Sequence, residues 1–138
     1  MSHYRAILLL GSNLGDQKKN LQTALSNIKD TGNEIVQLSD FLTSEPVEFV
    51  SSNIFCNIAA IISTHLSPIQ LLTLIKSIET EMGRAHDSSV TGGYSDRVID
   101  IDIVKFNELR FISERLKIPH QKHLSEREFS RILLKDFI

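Results

Sequence analysis

The chain has no tryptophan, a single cysteine, three prolines and six glycines in 138 residues. One cysteine excludes an intramolecular disulfide. Cys56, set inside an apolar stretch, reads as a buried thiol in a reducing compartment, with nothing nearby to make it a nucleophile. So little glycine and proline excludes collagen-like and low-complexity chains. Long apolar runs are absent too: the longest near the start, Ala6 to Leu10, is too short for a signal-peptide core and far too short to span a bilayer. Nor is there an excess of one charge. Fifteen Lys and Arg against seventeen Asp and Glu give a net charge of -2, which excludes attraction to nucleic acid or anionic membrane by bulk electrostatics. What remains is a soluble, cytoplasmic, globular chain. Residues 1–138 read as one domain, long enough for a single core to bury roughly two-thirds of the unfolded surface.

The charge is unevenly spread. Residues 1–83 hold five basic and eight acidic side chains, whereas residues 84–138 hold ten and nine, including six of the seven arginines. Any anion site is therefore local and lies in the second part.

Hydrophobic spacing supplies the elements. Tyr4 to Leu10, ended by Gly11, predicts a strand buried on both faces. Asp16 then caps a helix whose Leu21, Ala24, Leu25 and Ile28 follow helical spacing and which ends near Thr31-Gly32. Strand formers recur over Glu34 to Leu42 and Phe55 to Ile62, with an irregular loop from Ser44 to Asn53. Ser67-Pro68 opens a second helix carrying Leu71, Ile75, Ile78 and Met82 on one face, and Gly83 closes it. Arg84 to Asp96 has no periodicity and is long for a connection, a length that usually signals a functional lid or disorder. Val98 to Phe106 predicts a strand, Asn107-Glu108 a turn, and Leu109 to Ile112 a short return strand. Phe129, Ile132, Leu133 and Phe137 suit a final docking helix. The first six elements follow a βαββαβ order, that of an α+β ferredoxin-like domain whose antiparallel sheet carries both helices on one face. That order names no activity.

The strongest chemical signal is the segment from Arg97 to Ile103. Side chains alternate along a strand, so Asp100 and Asp102 share one face, about 7 Å apart along the backbone, while Ile99, Ile101 and Ile103 pack on the other. Paired carboxylates repel without a cation between them, and Mg²⁺ combines a few carboxylates with substrate phosphates. An isolated Asp-x-Asp is equally a solvated strand face. Arg84 and Arg97 bracket the long loop and can supply guanidinium forks for phosphate oxygens. Pro119-His120, with Arg127 downstream, adds donors that can stabilise a transferring phosphoryl group. The turn from Gly11 to Asp16 lacks the lysine and spacing of a Walker loop and reads as a strand-to-helix connection.

These segments carry a resemblance that runs through nearly the whole chain: LLLGSNLGD at 8–16, SEPV at 44–47, FCNIAA at 55–60, IETEMGR at 78–84, RVIDIDI at 97–103, ERLKIPH at 114–120 and REF at 127–129. In that order they resemble the 6-hydroxymethyl-7,8-dihydropterin pyrophosphokinase family. The resemblance implies a ferredoxin-like fold and transfer of the terminal pyrophosphate of ATP to the pterin hydroxymethyl group, releasing AMP, by a monomer acting on small molecules. It implies that Asp100 and Asp102 hold two Mg²⁺ ions and that Arg84, Arg97, His120 and Arg127 act on the phosphates. Glu79, Ile103, Arg115, Leu116 and Lys117 fall where the family surrounds ATP, joined by His120. Ser44, Val47, Phe55, Asn57, Tyr94 and Phe129 fall where it holds the pterin. Rings at Phe55, Tyr94 and Phe129 suit a flat heterocycle, and Asn57 suits its amide edge.

Two other classes share the element order. A ferredoxin-like module that binds nucleotide without catalysis would release no AMP. A single-strand RNA binder needs aromatics and a basic face on its central strands, where this chain has two acids.

Overall fold

The computed structural model describes residues 3–44, 55–83, 98–108, 110–113, 115–120, 128–135 and 137, without the side chains of residues 44, 111 and 128–130. Strand β1 (Tyr4–Ser12) is apolar along both faces because it lies inside the sheet, antiparallel to β4 (Phe55–Thr64) on one side and β5 (Asp100–Phe106) on the other. β2 (Glu34–Leu38) pairs with the far side of β4, giving the order β2-β4-β1-β5, and β3 (Leu42–Ser44) also pairs with β4. Helix α1 (Gln17–Asp30) starts where the Asp16 carboxylate accepts from the Lys19 N–H at 3.2 Å. Helix α2 (Pro68–Glu81) starts in a capping box between Ser67 and Gln70, with Pro68 in its first turn.

Alternation sorts the sheet into two cores. Ala6, Leu8 and Leu10 of β1, Ile58, Ala60 and Ile62 of β4, and Ile101 and Ile103 of β5 meet Leu21, Ala24, Leu25 and Ile28 of α1 and Leu71, Ile75 and Ile78 of α2. The opposite face carries Ile7, Leu9, Ala59 and Val104, covered by Leu133 and Leu134 of α3 (Glu128–Leu134). Both long helices share one face, as expected, and the C-terminal helix docks on the other. The fold is the ferredoxin-like α+β domain that the element order predicts.

Four details differ from the sequence reading. The strand expected over Glu34 to Leu42 breaks into β2 and β3, because Leu38 pairs with Ala60 and Leu42 with Asn57, so that three intervening residues oppose two. Ser39 carries the pairing across that extra residue. Its N–H donates to the Ala59 carbonyl at 2.9 Å and its hydroxyl accepts from the Ala59 N–H at 2.8 Å. The short strand after Asn107-Glu108, β6 (Phe111–Ile112), pairs not with β5 but with β7 (Lys117–Ile118), in a hairpin closed by Ser113 and Leu116. In α3 it is Leu134 that is buried with Leu133, while Ile132 is 55% exposed. Finally, Gly11 does not end the first strand: β1 continues through Ser12.

Two local features are directly testable. Asn107 has a φ of 47°, its N–H donates to the Arg5 carbonyl and its Oδ1 accepts from the Arg5 N–H, both at 2.7 Å. Asn107→Ala should lose about 1–2 kcal/mol in urea unfolding, and Asn107→Gly less, because glycine loses only the side-chain bond and not the left-handed backbone tolerance. Burial pushes the Cys56 thiol above its ordinary range, and the Lys18 ammonium pulls it partly back. At pH 8 a water-soluble disulfide reagent should therefore modify Cys56 slowly in the native protein and rapidly in urea.

Candidate active site

Residues paired across an antiparallel sheet project from the same face. Leu42 pairs with Asn57, Asn57 with Gly11 and Gly11 with Asp100, which sets one row across β3, β4, β1 and β5. The next row runs through Ala59, Leu9 and Asp102. Asp100 and Asp102 therefore stand together on the face opposite α1 and α2, both half-buried, and Ile99, Ile101 and Ile103 are buried on the other side. Phe55, two residues before Asn57, shares the face of the carboxylates.

Gly11 matters to this row through the space it leaves. A Cβ there would lie 2.9 Å from Asn57 Oδ1 and 3.3 Å from a ring carbon of Phe55. Both side chains lie against the backbone that a side chain at position 11 would cover. Asn57 is buried, and its Nδ2 donates to the Leu42 carbonyl at 3.2 Å, which fixes the amide. A single sequence gives no signal for this contact, because it depends on the pairing register.

A second group gathers along β5. Glu79, on α2, is 1% exposed, and its Oε2 accepts from the Ile101 N–H at 2.9 Å. Its Oε1 lies 3.3 Å from the Lys76 ammonium. The His120 N–H donates to the Val104 carbonyl at 2.8 Å, which holds the segment after β7 beside the strand of the Asp pair. Leu116 is buried in the main core, whereas Arg115 and Lys117 on either side of it are exposed.

Asp100 and Asp102 thus lie on one face of β5 and Ile103 on the other, Glu79 and His120 bond the β5 backbone at Ile101 and Val104, and Phe55 and Asn57 lie about Gly11. Ser44 pairs with Phe55 through the backbone, and Phe129 lies in the first turn of α3. Arg84, Arg97, Arg127, Val47 and Tyr94 lie outside the described residues. Among the described residues no group of three or more His, Cys, Asp or Glu side chains is placed to hold a metal ion.

The family model for 7,8-dihydro-6-hydroxymethylpterin-pyrophosphokinase (HPPK) matches residues 7–138. The chain belongs to this pyrophosphokinase family. Of curated HPPK relatives, the 2-amino-4-hydroxy-6-hydroxymethyldihydropteridine pyrophosphokinase of Porphyromonas gingivalis is 36% identical over 130 residues, 94% of this chain and 87% of the relative. The folate synthesis bifunctional protein of Arabidopsis thaliana is 35% identical over 132 residues, which are 96% of this chain but 26% of that protein. The chain thus spans about a quarter of that bifunctional relative. A crystal structure of Plasmodium falciparum HPPK-DHPS with pterin and p-hydroxybenzoate superimposes with a TM-score of 0.67 at 17% identity, covering 98% of this chain and 40% of that one. That last likeness is one of fold.

The packing around Gly11 predicts a defect when that space is filled. Gly11→Ala should displace Asn57 and Phe55 and cost about 1–3 kcal/mol in urea unfolding.

Proposed function

We propose that the chain transfers the terminal pyrophosphate of ATP to the hydroxymethyl group of 6-hydroxymethyl-7,8-dihydropterin, releasing AMP, in folate biosynthesis. The observation that carries this reading, within a family match over residues 7–138, is the row from Asn57 through Gly11 to Asp100. Two strand spacings separate its ends, about 10 Å. That distance lays a bicyclic heterocycle with a one-carbon arm from an amide partner to a pair of carboxylates.

In this reading Asn57 pairs with the amide edge of the pterin and Phe55 stacks on its rings, with Ser44, Val47, Tyr94 and Phe129 completing the pocket. The hydroxymethyl oxygen forms a bond to the β-phosphorus. The bond from that phosphorus to the α,β-bridging oxygen breaks, AMP departs with the oxygen, and the hydroxyl proton is released. Asp100 and Asp102 suit Mg²⁺, because they offer hard oxygen donors on one face and leave its other positions to phosphate oxygens and water. When bound, two such ions supply charge neutralisation on the phosphates. Arg84, Arg97, His120 and Arg127 would neutralise the remaining charge, while Ile103, Arg115, Leu116 and Lys117 flank the nucleotide. No strong general base is required, since phosphoryl-type transfer rests on positioning and electrostatics.

No described helix is long and apolar enough to cross a membrane. We take residues 1–138 as one domain, monomeric and cytoplasmic, acting on small molecules.

Incubation with ATP, Mg²⁺ and the reduced hydroxymethylpterin should yield AMP. ADP would indicate an ordinary kinase, and nucleotide binding without product would indicate a non-catalytic module. Asp100→Ala and Asp102→Ala should each lower kcat about 100-fold or more with circular dichroism unchanged, and undiminished turnover in either would remove the metal assignment.

A further inference from the structure

Helix α2 buries Leu71, Leu72, Ile75, Ile78 and Glu79, so a carboxylate occupies a position that packing alone would give to leucine. Burying it costs stability unless it is bonded. The bond it makes is specific: Glu79 Oε2 accepts from the Ile101 N–H, on the side of β5 away from β1. Asp100 and Asp102 are held from the inner side by their pairing with Gly11 and Leu9 of β1. At Ile101 the alternation of an antiparallel ladder turns the N–H outward, where the described residues offer no strand. Glu79 supplies the missing acceptor.

That N–H belongs to the peptide unit that joins Asp100 to Ile101. Its plane fixes ψ of Asp100 and φ of Ile101, the soft dihedrals that set where the Asp100 side chain leaves the strand relative to that of Asp102. We infer that Glu79 is a positioning residue for the Asp100 and Asp102 carboxylates, acting through the Ile101 amide. This rests on the pyrophosphokinase reading for its purpose but not for its measurement. Groups one step behind metal ligands typically change metal affinity 10–100-fold when removed.

The test compares Glu79→Gln, which keeps an acceptor oxygen at the same place, with Glu79→Leu and Glu79→Met, which fill the space without one. The full chain is titrated with Mn²⁺ in the presence of ATP and without pterin, following paramagnetic broadening of the Asp100 and Asp102 amide signals. Hydrogen exchange at Ile101 is measured in parallel. The apolar variant that folds should exchange the Ile101 amide rapidly and raise the Mn²⁺ midpoint about tenfold or more, whereas Glu79→Gln should stay within about threefold on both measures. A purely structural role would lower the melting temperature without moving the metal midpoint of the folded protein, and that result overturns the inference. So does an equal loss of metal-free ATP affinity in all variants, which would make Glu79 a nucleotide ligand. Neither readout needs turnover. A wild-type protein that forms no AMP would end the pyrophosphokinase reading, while the exchange and Mn²⁺ results would still decide the role of Glu79.

Discussion

The register of β1 against its two neighbours is the constraint on which everything else rests. With side chains alternating, Leu8 and Leu10 are committed to the core under α1 and α2, and Leu9 and Gly11 to the opposite face. A slip of β5 by one residue against β1 would turn Asp100 and Asp102 into the core and Ile101 and Ile103 onto the opposite face. The apolar burial of β1, β4 and both helices therefore enforces a polar geometry: it sets Asn57, Gly11 and Asp100 in one row. Site precision comes from the strength of the core, since the functional side chains do not have to hold the strands together.

Local periodicity made much of this legible. The helical spacing of Leu21, Ala24, Leu25 and Ile28, the Asp16 cap and the Ser67-Pro68 start are short-range patterns, and each corresponds to an observed contact. The same holds for the Asp pair, because alternation within one strand needs no knowledge of the rest of the fold. Long-range partners were beyond reach. The break between β2 and β3 depends on Ser39 meeting Ala59, and the hairpin of β6 with β7 depends on Ser113 meeting Leu116. Ile132 against Leu134 turns on how a seven-residue helix rotates over the sheet, which an amphipathic pattern that short does not fix.

The candidate site divides along the same line. Asp100, Asp102 and the Pro119-His120 pair were visible as chemistry-bearing residue types in sequence. Gly11 was read as a turn, because its contact with Asn57 and Phe55 exists only once β1 and β4 are paired. Glu79 was placed near nucleotide by resemblance, and its bond to a backbone amide 22 residues away becomes evident only when α2 lies against β5.

The outer margin of β5 has a consequence of a different kind. A strand at the end of a sheet invites pairing with a strand from another molecule, the usual first step of edge-to-edge aggregation. Here the Ile101 N–H is committed to Glu79 and the Val104 carbonyl to His120. An intruding strand would have to break both bonds before it gained one. The contacts about the candidate active site thus also oppose edge-to-edge pairing at β5, while among the described strands β2 forms the other margin of the sheet.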